Sequence, residues 1–328
     1  MKNEKPLYIF LHIMKCAGTT IRFHKKENLD KDEFLLLYYN EEPIFEKNKG
    51  NINKYISSLT EEQKNKIRII FGHIAFYGLH RLFHNRDCRY VTFIREPTNR
   101  TISHYNWDLM RYYNGEMSKR RGSELFPKGR KDLSFTSWFN NWIEEDRKNN
   151  LKMNNYIFRY LFFFFINDKF KHRDINEQNL ERIKNLIDKF WFVGITENPE
   201  DFLFFYNKIG SGRFLRNFNV STKYLGKKEV EKAKILISKD LEFDRKIYNY
   251  CLKQNRKFKK NHKFFFLIVL IMRIKKFFCF HLKLQDFPSF ITSKFYDLKL
   301  FRLSSNLKKH SITYSKFVKW VKRKPGLK

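Results

Sequence analysis

Leu7-Tyr8-Ile9-Phe10-Leu11-His12-Ile13-Met14-Lys15-Cys16-Ala17-Gly18-Thr19-Thr20 opens as an apolar run and closes on small and hydroxyl-bearing residues. The run suits a buried strand. Cys16, Ala17 and Gly18 then let backbone N–H groups approach a ligand closely, and Thr19 and Thr20 can donate hydrogen bonds. A helix beginning there would aim the positive end of its dipole at an anion. Lys15 adds a full charge at the mouth of the turn. The stretch therefore predicts a strand, a phosphate or sulfate cradle, and a helix. It is not a Walker A loop, in which the lysine follows the glycine.

Two further stretches share this design. Arg89-Tyr90-Val91-Thr92-Phe93-Ile94 reads as a strand running into Arg95-Glu96-Pro97-Thr98-Asn99-Arg100-Thr101-Ile102-Ser103-His104-Tyr105. Pro97 fits the first turn of a helix. Arg95 then sits at the strand end, and Ser103 lies two turns along the helix. Ile67-Arg68-Ile69-Ile70-Phe71 is a third strand candidate, ending in Gly72-His73. In open parallel sheets ligands bind beyond the carboxyl ends of strands, so three such ends are expected to converge on one ligand.

The pair of stretches from Phe10 to Thr20 and from Tyr90 to Tyr105 resembles the carbohydrate sulfotransferases, in particular the branch containing heparan sulfate 2-O-sulfotransferase. Softer echoes are Met153-Asn154-Asn155-Tyr156-Ile157-Phe158-Arg159 and Trp191-Phe192-Val193-Gly194-Ile195-Thr196-Glu197. The resemblance covers about residues 6 to 258. It implies transfer of a sulfuryl group from 3′-phosphoadenosine 5′-phosphosulfate (PAPS) to a hydroxyl of a glycan, with the bisphosphate PAP as product and no metal. Lys15, Cys16, Ala17, Gly18, Thr19 and Thr20 would hold the 5′-phosphosulfate, with Lys15 neutralising the bridging oxygen as PAP leaves. Arg95 and Ser103 would hold the 3′-phosphate, which suits the forked donors of arginine. His73 would be the base that takes the acceptor's proton, a task imidazole suits. A loop from Gly210 to Gly226 would close over the nucleotide, with Arg216 and Ser221 among its donors. The family usually has proline where Met14 stands; this loosens the turn and removes no ligand group. His12 is read as structural, His80, His84 and His104 as surface or supporting residues, and Glu197 as structural.

The chain has 328 residues, 42% of them hydrophobic, enough for a sizeable core. Its four cysteines (Cys16, Cys88, Cys251, Cys279) are scattered and suggest neither a zinc site nor a disulfide framework. The first strand begins too early to leave room for a signal peptide, so a cytoplasmic location is expected. The net charge is +33. Residues 253–328 hold 21 Lys and Arg against 2 Asp and Glu, so much of the excess lies there. Such an excess favours anionic partners. Phe264 to Met272 is continuously apolar, but at nine residues it falls short of the ~20 that span a bilayer. With its lysines it predicts attachment to an anionic membrane surface, or else packing on the domain. No nucleic acid is expected. Two alternatives stay open: a kinase-like nucleotide-binding protein, which would want a lysine after the glycine and an aspartate for magnesium, and a nucleic-acid-binding protein on charge alone.

The expected fold is α/β: a parallel sheet flanked by helices, with a P-loop-like strand–turn–helix. A sulfotransferase domain is expected over 1–258 and a basic aromatic tail over 259–328. Strands are expected at 7–13, 67–71, 89–94 and 190–195, with another at Phe34 to Tyr39. A short helix is expected over Ser58 to Lys66 and a loop over 113–133. Helices are expected between Phe135 and Asp188, from Asn198 to Lys208, and as one long element from Lys228 to Phe258.

Overall fold

The structure, a computed structural model, describes residues 5–38, 51–148, 155–165, 174–210 and 223–281. Five parallel strands form its sheet: β1 (Leu7–Leu11), β2 (Phe34–Leu36), β3 (Ile69–Gly72), β4 (Cys88–Ile94) and β5 (Phe192–Ile195), in the spatial order β2-β3-β1-β4-β5. The α/β fold expected from the sequence is the observed one. β1 is central, with Tyr8 beside Ile69 on one flank and Arg89 on the other. All five of its residues are buried, as a strand covered on both faces requires.

Strand alternation divides the core in two. Leu7, Ile9 and Leu11 face one layer, with α7 (Tyr156–Phe165), α8 (Glu177–Ile187) and α11 (Glu242–Asn261). Tyr8 and Phe10 face the other, with α1 (Gly18–Asn28), α9 (Pro199–Ile209) and α12 (Phe265–His281). Phe10 there packs on Phe71 at 4.8 Å and on Phe205 at 5.6 Å between ring centroids. A fully buried phenylalanine stabilises by roughly 1.5–3 kcal/mol. A third cluster joins α4 (Pro97–Tyr113), α5 (Lys119–Leu125), α6 (Phe135–Lys148) and α10 (Lys227–Leu236).

Three local expectations are corrected by capping chemistry. The helix expected over Ser58 to Lys66 is two helices, α2 (Ile52–Ser58) and α3 (Glu61–Lys66). Thr60 breaks the run by capping α3, its hydroxyl accepting from Gln63 N at 3.2 Å while Gln63 Oε1 accepts from Thr60 N at 2.9 Å. The loop expected over 113–133 contains α5, capped by Ser118 and anchored by buried Leu125. The long helix expected from Lys228 to Phe258 is broken between α10 and α11 by a 3-10 turn, Lys239–Leu241. There Asp240 O accepts from Asn155 N, and Asp244 caps α7 by accepting from Ile157 N at 3.1 Å and Phe158 N at 2.8 Å.

The chain divides into two compact units, Met1–Lys276 and Phe277–Lys328. Within the first, α12 buries Phe265, Ile268, Val269 and Met272 in the core and leaves Phe264 and Phe266 exposed. Lys259 pairs with the buried carboxylate of Asp201 at 2.6 Å. Among the described residues, no helix is long and apolar enough to cross a membrane. The second unit is described only at 277–281, the end of α12.

Candidate anion and transfer site

β1 and β4 are neighbours, yet the chain leaves them in opposite directions across the sheet, toward β2 and β5. Such a switch point opens a crevice beyond the strand ends. A cavity of about 680 Å³ lies there, within the usual size of ligand clefts. Its lining includes Lys15, Ala17, Gly18, Thr19 and Thr20 from the first motif, Arg95 and Ser103 from the second, and His73 from the third. These residues lie far apart in sequence, and the fold brings them to one cavity.

The turn after β1 has an unusual backbone. Lys15 and Ala17 both have left-handed backbones, φ 66° and 60°. Residues with side chains rarely adopt this region, and such strain collects at ligand clamps. Ala17 is the N-cap of α1 and supplies no side-chain hydrogen bond to the first turn. A helix cannot satisfy that turn's N–H groups internally, and its residues Gly18, Thr19 and Thr20 line the cavity. The helix after β4 contrasts with it. Glu96 caps α4, accepting from Thr98 N at 3.1 Å and from Asn99 N at 2.7 Å. One of the two helix ends is closed by the chain's own carboxylate, and the other has no such cap.

Among the described residues, the cavity lining carries Lys15, Arg95 and Lys223 and no carboxylate. Arg95 Nη1 donates to the carbonyl of Lys15 at 3.4 Å, joining the two motifs. Burial, with Arg95 close by, lowers the Lys15 ammonium to a pKa of about 8. Its Nζ stands 5.2 Å from the ring centroid of Trp107. Thr92, at the end of β4, donates to Leu11 O at 2.8 Å and holds the two strand ends together.

His73 is fixed from two sides. Its Nδ1 lies 2.8 Å from the backbone carbonyl of His12, which can only accept, so Nδ1 is the donor. The neutral ring then carries its lone pair on Nε2. The carbonyl of His73 accepts from the Tyr160 hydroxyl at 2.8 Å. Gly72 is required before it, since a Cβ there would fall 1.9 Å from Leu37 O.

Other residues singled out in the sequence stand outside the lining or outside the described residues. Cys16 is absent from the lining: its N–H donates to Ile13 O at 3.1 Å and its side chain sits in the core, where burial pushes the thiol up to about 12. Arg216 and Ser221 lie outside the described residues. Glu197 accepts from Glu96 N at 3.1 Å, outside the lining. His104 is buried beside Trp107, Trp138 and Trp142, its Nε2 3.8 Å from Asp108. Burial, with Arg100, Lys15 and Arg121 around it, holds its pKa well below the usual value.

The lining also holds residues missed in the sequence. Asn99, Ile102 and Asn106 share a face of α4 with Ser103, at helical spacing that could have found them. Lys223 falls inside the Gly210 to Gly226 loop that the resemblance points to, although Arg216 and Ser221 are the donors read there. Gly18 has a reason beyond ligand approach: a Cβ there would fall 1.7 Å from Nε2 of His12. Among the described residues, no group of three or more His, Cys, Asp or Glu is placed to hold a metal ion. No protein-family model matches the chain, and no curated protein matches it.

Proposed function

We propose that the protein is a PAPS-dependent sulfotransferase acting on a hydroxyl acceptor, in keeping with the resemblance of its two motifs. One observation carries this reading. The first turn of α1, which has no side-chain cap, with Lys15, and Arg95 with Ser103, face a single cavity whose described lining holds no carboxylate, from two adjacent strand ends, with His73 in the same lining. A ligand with anionic groups at two separate points matches that pairing, and a nucleotide bearing 3′-phosphate and 5′-phosphosulfate has them.

The donor supplies an activated sulfuryl group. Gly18, Thr19 and Thr20 would bind its 5′ end through the first turn of α1, and Arg95 and Ser103 its 3′-phosphate. Lys15 would set a positive charge against the oxygen where negative charge develops. His73 would take the acceptor's proton on Nε2, the nitrogen left basic by its contact with His12 O. Positioning and charge stabilisation are then the main contributions of the protein. A glycan acceptor remains part of the proposal through the resemblance alone. Calorimetric titration with PAP, and with ATP as control, tests the reading. Binding of PAP without added metal, in preference to ATP, is expected; a folded protein that ignores millimolar PAP overturns it.

A further inference from the structure

His12, a residue the sequence suggests is structural, has a ring that opens onto the cavity. Three neighbours hold it. His73 stacks on it, ring centroids 4.1 Å apart and planes 22° from parallel. Phe71 lies on it at 5.1 Å. Gly18, the first residue of α1, leaves room for Nε2 where its own side chain would be. The residue is only 6% exposed. Nδ1 lies 2.9 Å from the Tyr38 hydroxyl, and Nε2 has no hydrogen-bond partner among the described residues.

Nε2 keeps an opening to the cavity and is not among the sealed, unpartnered side-chain atoms of the described residues. A phenylalanine in the space between Phe71 and His73 would present no donor there. The nitrogen instead stands beside the uncapped end of α1, in a wall that carries Lys15. Burial, with His73, Lys15 and Arg22 nearby, keeps the imidazole's pKa well below the usual value, so the ring is neutral and has one N–H. An anion in the cradle favours that proton on Nε2, where a lone pair would face negative charge. Tyr38 then donates to Nδ1.

We propose that His12 is a further ligand of the cradle, donating from Nε2–H to an oxygen of the phosphate or sulfonate group held at the first turn of α1. The identity of that group rests on the nucleotide reading above; the donor role rests on the geometry around Gly18. His12 would thus touch the anion on one side and hold His73 on the other, through the ring stack and its own carbonyl.

The test compares wild type, His12→Phe and His12→Gln, because glutamine keeps a donor near the Nε2 position and phenylalanine does not. Each is titrated calorimetrically with PAP and with adenosine 3′-monophosphate, which lacks the 5′ group. His12→Phe should weaken PAP about tenfold or more, as loss of one hydrogen bond to a charged group implies. It should leave the monophosphate within about twofold, and His12→Gln should recover most of the PAP affinity. Equal losses for both ligands, or an unchanged PAP affinity, overturn the proposal. A second measurement covers variants that fail to fold. In wild type labelled with ¹⁵N-histidine, the His12 ring should be the Nε2–H tautomer, and its Nε2 resonance should shift on addition of inorganic sulfate. An Nδ1–H tautomer, or no shift with sulfate, overturns it. If neither nucleotide binds wild type, the sulfotransferase reading fails, and the sulfate titration alone decides the role of His12.

Discussion

The guanidinium of Arg95 reaches from the end of β4 to the backbone carbonyl of Lys15, Nη1 to O 3.4 Å. One side chain therefore serves the geometry of the cradle and the charge of the neighbouring wall. Arg95→Ala should lower PAP affinity by at least about 30-fold, the ~2 kcal/mol expected when one partner of a buried charged contact is truncated. Arg95→Lys should restore little, since a point charge does not replace a fork. Calorimetry at fixed salt checks both.

His73→Ala should cut turnover about 100-fold or more, the usual contribution of a positioned general base. PAP affinity should stay within a few-fold, because in this reading the base faces the acceptor. A variant that keeps a tenth of wild-type turnover assigns the base to another group.

Gly18→Ala places a methyl group 1.7 Å from His12 Nε2. Overpacking of this kind costs roughly 1–3 kcal/mol, so thermal denaturation should show a lower Tm. The double variant His12→Ala/Gly18→Ala should recover much of that loss. Additive losses instead would mean that the two residues are not in contact.

This pair shows where sequence reading stops. The fold was legible because β1, β3 and β4 are short apolar runs with functional residues at their ends, and Pro97 and Pro199 mark helix starts. The cradle residues were legible as a motif. What was not legible depends on contacts between distant segments: the ring of His12 over Gly18 and the carbonyl of Leu37 over Gly72. Cys16 misled because a small residue in a turn can serve a ligand or the core, and its N–H here is taken by Ile13 O.

Lys15 makes the site pH-dependent. Its ammonium is held at about 8 in the free protein by burial and by Arg95. A bound anion favours the charged form, so binding near pH 8 takes up a proton. Affinity should therefore fall as pH rises above 8, by up to about tenfold per unit. Calorimetry in two buffers of different ionisation enthalpy should show that uptake, and Lys15→Ala should abolish it.

The helices after Phe258 are expected to be needed for stability. Asp201→Asn would leave Lys259, only 14% exposed, without its carboxylate. Stranding a largely buried charge costs roughly 3–5 kcal/mol, with some relief from solvent here. Ending the chain at Phe258 removes four buried apolar residues of α12 as well, each worth roughly 1.5–3 kcal/mol. That loss is comparable to a whole domain's stability, so the shortened chain should not melt cooperatively. The membrane-surface attachment expected from the sequence is tested with Phe264→Ser/Phe266→Ser, whose side chains are 42% and 64% exposed. Such a variant should keep its Tm and lose sedimentation with anionic vesicles.

The central place of β1 also governs how the chain can be made. Its residues leave the ribosome before those they pair with: Tyr8 pairs with Ile69 and Leu7 with Cys88. A buried five-residue apolar strand must wait for partners some sixty and eighty residues behind it, and for β5 beyond them. Long-range parallel pairing of this kind is slow and leaves apolar edges open meanwhile. Synthesis of this protein is thus expected to lean on chaperones during elongation, and slower translation between β1 and β4 to lower its yield of soluble chain.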